Sequence, residues 1–252
     1  MMRELGVKAR RNHKPKITKK TRSTVAESPP RISVIMPTYN EAEYINETIE
    51  SVIRQDYNKL ELIVVDRGST DETLEILKSY AHLGVNRFRY VSEPDRGRAH
   101  AINTGISLAR GTLVSWLSAD DTYYPGAVSQ AVRSFTKHTS WAMIYGNVNY
   151  VNENSEVLSA FPTKPFDRKK LFEECFICQP ATFLRKEAII QVGGVDESKQ
   201  ICMDYDLWVR LAKFHSIGYV ENTMASTRLH DANQSILLMN EIGSKEELHH
   251  RS

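Results

Sequence analysis

Between residues 31 and 117 the chain alternates two rhythms of apolar residues. Arg31–Pro37 (RISVIMP) is an apolar run of strand length, and Leu60–Asp66 (LELIVVD) is a second one rich in β-branched residues. Phe88–Ser92 and Leu113–Leu117 make a third and a fourth. Between these runs the period lengthens to that of a helix. Glu43–Arg54 sets Ile45, Ile49, Val52 and Ile53 on one face. A second helix opens at Ser69-Thr70-Asp71-Glu72, with Ser69 and Asp71 as caps, and runs through Ala81, and Ala99–Ala109 makes a third. Strands and helices taking turns build βαβ crossovers, so the fold class is α/β with a mostly parallel sheet covered by helices on both faces.

From about Tyr145 the rhythm becomes irregular. Asn147–Asn152 and Glu156–Ala160, joined around Glu153-Asn154, read as a hairpin, and Lys186–Val192 and Asp204–Phe214 as helices. The expected organisation is an α/β half over residues 31–145 and a smaller, irregular half over 146–236 that closes on a substrate. A basic tail over 1–30 precedes them, and a polar, fraying end over 237–252 follows.

Charge separates the tail from the body. Residues 1–30 hold nine Lys/Arg against Glu4 and Glu27, a charge of +7; with +2 for the whole chain, the other residues carry −5. The lack of aromatics and of apolar periodicity favours a solvated leader, and a peripheral contact with an anionic membrane surface is the second use open to such a tail. No nucleic-acid partner is expected. Without an apolar run behind the charges the tail is not a signal peptide, and no run reaches the roughly 18 residues of a membrane span. The expected location is cytoplasmic, with the inner face of the membrane as the alternative. Cys175, Cys178 and Cys202 are too few for a disulfide framework, and the C-x-x-C they include lacks the second pair that zinc would need.

In open parallel sheets ligands bind at the carboxyl ends of the strands. Here those ends carry Pro37-Thr38-Tyr39-Asn40-Glu41, Asp66, Glu93-Pro94-Asp95 and Ser118-Ala119-Asp120-Asp121. Acids at three of four neighbouring ends repel one another unless a cation such as Mg²⁺ or Mn²⁺ sits among them. No G-x-G-x-x-G and no G-x-x-x-x-G-K-[ST] follows any strand, so a glycine cradle for phosphates is missing and a metal must neutralise them.

Seven stretches in order resemble the family-2 glycosyltransferases of the GT-A fold: VIMPTYNEAEYI, ELIVVDRGSTDET, SEPDRGRAHAINTG, GTLVSWLSADDTYYPGA, QPATFLRKEAIIQVGGVDES, MDYDLWVRLA and RLHDANQS. They span roughly residues 31–236. The resemblance implies an inverting transferase that moves a sugar from a nucleotide-diphosphate donor to a saccharide or lipid-linked acceptor, in surface polysaccharide or glycoconjugate synthesis. It makes 31–145 the nucleotide-sugar half and 146–236 the acceptor and base half. Pro37, Tyr39 and Asp66 would line the nucleobase and ribose pocket, with Asp95 and Asp120 also on the donor. Asp120 and Asp121 match the acidic D-x-D pair, Asp121 as the metal ligand, and His230 completes the metal shell or contacts the diphosphate. Gln179 falls on the acceptor side and Asp204 matches the catalytic base.

The chemistry fits these residue types. Negative charge grows on the departing diphosphate, which a carboxylate-held Mn²⁺ or Mg²⁺ neutralises, and the weakly nucleophilic acceptor hydroxyl must lose its proton to a carboxylate. Asp204 opens a helix whose Leu207, Trp208 and Leu211 pack inward, so either it or Asp206 also serves as a cap. Four positions depart from common family choices: Arg67 where an acid is frequent, His100 in place of Asp, Ser118 before the acidic pair, and Met203 before the base. Two other readings remain at this level, a nucleotidyltransferase of similar fold and a catalytically degenerate sugar-nucleotide binder. The first wants a glycine- and basic-rich turn after the first strand, which Thr38-Tyr39-Asn40-Glu41 does not offer.

Overall fold

The computed structural model describes residues 29–94, 96–199 and 201–230. The expectations for the basic tail (apart from Pro29 and Pro30), for the C-terminal end and for Asp95 lie outside the described residues.

One sheet of nine strands runs through both halves. The strands are β1 (Ile32–Thr38), β2 (Leu60–Asp66), β3 (Phe88–Ser92), β4 (Leu113–Trp116), β5 (Thr122–Tyr123), β6 (Trp141–Val151), β7 (Val157–Ala160), β8 (Thr182–Arg185) and β9 (Ser216–Arg228), in the order β3-β2-β1-β4-β8-β6-β9-β5, with β7 paired to the later part of β6, beyond the stretch that pairs β8. The four strands expected from the N-terminal pattern pair parallel, with Thr38 opposite Asp66 and Asp66 opposite Ser92, so their carboxyl ends finish level. Beyond β4 the sheet is mixed: β8 lies antiparallel to β4 and β6, β9 parallel to β6, and β5 antiparallel to β9.

β1 and β2 are buried along their whole length, and alternate residues feed two cores. Val34, Met36, Leu62 and Val64 join α1 (Ile45–Ile53), α2 (Thr73–Ser79) and α4 (Ala127–Lys137) on one face. Ile35, Ile63 and Val65 join α3 (Arg98–Leu108), α5 (Arg168–Leu171), α6 (Lys186–Gln191) and α7 (Met203–Phe214) on the other. Gly105 lets α3 lie directly on β1, since a Cβ there would run into the Ile35 side chain.

The structure adds elements to the sequence reading. Ala127, Val128, Ala131, Val132 and Phe135 are the buried stripe of α4, and β6 extends well upstream of the expected hairpin. β8, β9 and β5 complete the sheet. Of the two expected caps, Asp71 accepts the N–H of Thr73, the first residue of α2, whereas Ser69 does not cap the helix, and Glu72 makes no capping bond. The Ser69 and Asp71 side chains stitch the loop after β2 to the loop after β1. Ser69 accepts the Asn40 N–H at 2.8 Å, and Asp71 accepts those of Ala42 at 3.1 Å and Thr73 at 3.0 Å.

Candidate active site

The level carboxyl ends of β1, β2 and β4 open on a cavity of about 480 Å³. From the first two strands come Pro37, Tyr39, Glu41 and Arg67, from the loop after β4 come Ser118, Asp120 and Asp121, and from the second half come Gln179, the start of α7 and Thr227. The cavity therefore has a donor end on the parallel strands and an opposite end built by residues 175–180 and 201–205.

Tyr39 follows β1 through a tight turn in which Asn40 takes φ 53°, and its Oδ1 accepts the Thr70 N–H at 2.8 Å. The Arg67 guanidinium lies 5.1 Å above the Tyr39 ring, so this wall presents a cation on an aromatic face. Asp66 does not line the cavity. It is buried, and its carboxylate accepts the N–H groups of Gly68 and Ser69 and the hydroxyls of Ser69 at 2.5 Å and Ser92 at 2.6 Å. Asp66 thus shapes the wall that Arg67 and Tyr39 present.

The acids at the strand ends also group differently from the sequence expectation. Glu93 faces His100, at 3.5 Å, and the crowded carboxylates are Glu41, Asp120 and Asp121. Asp121 is buried; burial and the charge of Asp120 push it up to about 8, against the Thr227 and Arg228 hydrogen bonds and the Arg98 charge. Burial, then Asp120, pushes Glu41 up to about 7. His230 Nε2 sits 3.0 Å from Asp120 Oδ2, and that hydrogen bond raises the imidazole above its usual value. Among the described residues no group of three or more His, Cys, Asp or Glu is already arranged as a metal cage.

Sequence reasoning passed over three residues here. Glu41 was only quoted in a motif. Arg98, the first residue of α3, donates to the Ser118 hydroxyl and is a positive charge beside Asp121 and Glu41. Arg228 is buried and threads β9 to everything around it. Its backbone N–H reaches Asp121 Oδ1 at 3.2 Å, its Nε the Asp120 carbonyl at 3.1 Å, and its terminal nitrogens Asn152, Glu153, Ser155 and Glu47. A lone arginine two positions before a histidine carries no sequence signal of this kind.

At the opposite end Gln179 begins a 3-10 turn and donates to the Trp116 carbonyl at 2.6 Å, tying that wall to the end of β4. Asp204 lies in the first turn of α7, half-buried and lining the cavity; Cys202, with φ 54°, is the N-cap residue and no side chain caps the helix. Among the described residues Asp204 has no hydrogen bond or ion pair, whereas Asp206 is held by Arg210 at 2.7 Å. The capping role expected for one of the two belongs to neither. Leu207, Trp208 and Leu211 are buried as expected, and Trp208 stacks on Trp116 at 5.3 Å, fixing α7 against β4. Cys175, Cys178 and Cys202 all line this end; burial pushes Cys175 up to about 11 and Cys178 well up, and Cys178 feels both Asp121 and Asp204.

Known proteins share this arrangement. An uncharacterized glycosyltransferase of Rickettsia prowazekii is 30% identical over 227 residues, covering 87% of this chain and 70% of the relative. The chondroitin synthase of Escherichia coli is also 30% identical, over 86% of this chain but only 32% of its own length. Among solved structures, Staphylococcus aureus TarS 1–349 in complex with UDP-GlcNAc superimposes with a TM-score of 0.65 at 18% identity, covering 82% of this chain and 60% of that one. The mannosyltransferase PcManGT from Pyrobaculum calidifontis, in complex with GDP-Man and Mn²⁺, gives 0.63 at 22% identity, covering 82% and 59%. These two share the fold, a GT-A architecture. The glycosyl transferase family 2 model matches residues 33–193, and with a 30% identical relative covered over most of its length, the chain belongs to that family.

Proposed function

We propose that the chain transfers a sugar from a nucleoside-diphosphate donor to an acceptor hydroxyl, inverting the anomeric centre, with Asp204 as the base. The observation that carries this reading is Asp204 itself: a carboxylate on a rigid helix start, unpaired among the described residues, in the same cavity as the acidic pair. A base must reach its proton and have no competing partner, and Asp206, paired to Arg210, fails that condition.

Pro37, Tyr39 and Arg67 form the wall for the nucleoside, and Arg98 supplies positive charge toward the diphosphate. Gln179 holds the acceptor-side turn on β4. The chemistry of the donor set fits Mn²⁺ or Mg²⁺: Asp120 and Asp121 offer hard oxygens, His230 a borderline nitrogen, and the mutual repulsion that raises Asp121 and Glu41 is what a cation relieves. Bound there, the ion neutralises charge on the leaving diphosphate. Asp204 Oδ takes the acceptor proton on the other side of the anomeric carbon. The relatives named as chondroitin and hyaluronan synthases support a role in polysaccharide or glycoconjugate synthesis.

Release of free nucleotide from a panel of UDP- and GDP-sugars with Mn²⁺ tests the activity. Asp204→Asn should lose about 10²–10⁴-fold in transfer while donor binding by calorimetry persists. Transfer within a few-fold of wild type would remove Asp204 as base, and a wild type that neither binds nor turns over any donor would remove the enzyme.

A further inference from the structure

The end of the cavity around Asp204 is lined by Ile177, Ile201, Met203 and Tyr205 with the three cysteines, and Tyr150 and Phe161, their rings 5.8 Å apart, add to the same cavity wall.

Two of the side-chain donors at this end are already committed. Gln179 donates to the Trp116 carbonyl at 2.6 Å, and the Tyr205 hydroxyl to the Leu171 carbonyl at 2.7 Å. A free sugar is held by many directional hydrogen bonds, and few are on offer here. The charge is equally one-sided. Among the described lining residues the cations are Arg67 and Arg98, both at the donor end, against Glu41, Asp120, Asp121 and Asp204. An acceptor carrying carboxylates or sulfates would meet repulsion with no arginine or lysine to receive it.

We infer that the acceptor is uncharged beside its reacting hydroxyl and carries an apolar aglycone that packs on Tyr150, Phe161, Ile177 and Ile201. This deepens the transferase reading and rests on Asp204 marking the acceptor end. Burial of the aglycone supplies the binding that the missing hydrogen bonds do not, and each buried methylene multiplies affinity roughly fourfold.

Cys202, exposed and on the cavity wall, is a built-in reporter. The experiment follows maleimide labelling of Cys202 in the full chain by mass spectrometry. The probes are methyl β-D-glucoside, octyl β-D-glucoside below its micellar concentration, and octyl β-D-glucuronide, with Cys175 as a second reporter. Octyl glucoside should half-protect at a concentration at least tenfold lower than methyl glucoside, and the glucuronide should protect more weakly than its neutral counterpart. Phe161→Ser and Ile201→Ser should each cut the octyl advantage several-fold; either one suffices if the other fails to fold. Half-protection by methyl and octyl glucosides within twofold of each other, or equal protection by the glucuronide, overturns the inference. UDP and GDP titration with Mn²⁺ reads the donor end separately. Donor binding with no octyl advantage overturns this inference alone, and an octyl advantage without donor binding sinks the transferase reading and with it the assignment of this apolar wall to an acceptor.

Discussion

Replacing Arg228, the first residue of the stretch RLHDANQS, by Met removes a guanidinium and keeps most of its aliphatic stem. The wild-type side chain is 1% exposed and makes one bond to the Asp120 carbonyl, two to the hairpin carbonyls of Asn152 and Glu153, one to the Ser155 hydroxyl and an ion pair to Glu47 at 2.6 Å. The acceptors left behind are not equal. Glu47 is about half exposed and the hairpin turn is at the surface, so water takes over there and each lost bond costs about 0.5–1 kcal/mol. The Asp120 carbonyl belongs to a buried residue where water does not readily replace the lost donor, at about 1–3 kcal/mol. Relief of the guanidinium's own desolvation offsets part of this, leaving a net loss of roughly 3 kcal/mol. At about 2–4 °C per kcal/mol for a chain of this size, the melting temperature should fall by about 6–12 °C.

Urea unfolding gives the free energy directly, and Arg228→Lys sharpens the test. One ammonium cannot serve the Asp120 carbonyl and the two hairpin carbonyls from a single point, so lysine should recover less than half of the loss. A loss below 1 kcal/mol for Met, or full recovery by Lys, would refute the idea that a planar fork ties β9, the hairpin and the acidic loop into one unit.

Three more outcomes follow from the same geometry. Asp121 and Glu41 are raised from 3.8 and 4.5 to about 8 and about 7, so the folded state holds their protons more tightly than the unfolded chain. Their contribution to stability is complete below about pH 4 and is lost as pH rises to about 8; the metal-free melting temperature should drop between pH 6 and pH 8 and millimolar Mn²⁺ should flatten that drop, whereas a metal-free rise would contradict the burial argument. Asp206→Asn should keep transfer at wild-type level and cost about 1 kcal/mol or less in urea, because Asp206 and Arg210 form an i,i+4 pair about a quarter exposed; a hundredfold loss of transfer would hand the base role to Asp206. Gly105→Val should destabilise by about 1–3 kcal/mol or more, since its side chain enters the space of Ile35, and unchanged stability would mean that α3 is free to slide on β1.

The first four strands were legible because β1 and β2 are buried on both faces and therefore read as unbroken apolar runs. β9 was not, because SIGYVENTMASTR mixes buried and exposed residues and shifts register three times against β6. α4 had a clear stripe, and passing over it was a failure of reading, not of signal. At the site, Asp120, Asp121, Gln179 and Asp204 come together as expected. The family resemblance made Asp66 a ligand contact; its four donors all come from the loop Gly68-Ser69 and from Ser92, a local polar network that sequence spacing does not reveal. Arg98 and Arg228 act through tertiary neighbours 20 and more than 70 residues away, beyond any local pattern.

Met203 changes meaning in this light. Met203 stands just before the proposed base, where an acid is frequent, and it is 8% exposed and belongs to the core shared by Leu207 and Trp208. At the first position of α7 it turns toward the sheet, and four residues on, Leu207 continues the same stripe. A glutamate in its place would have to bury a charge or pull the first turn outward, at a cost of several kcal/mol. The left-handed Cys202 before it bends the chain sharply enough for the helix to begin with an apolar side chain already docked. With Met203 docked inward and Asp206 clamped by Arg210, Asp204 is the acid of the first turn left facing the cavity. Packing on one side and pairing on the other thus select a single carboxylate, and they do so with one of the four residues that depart from common family choices.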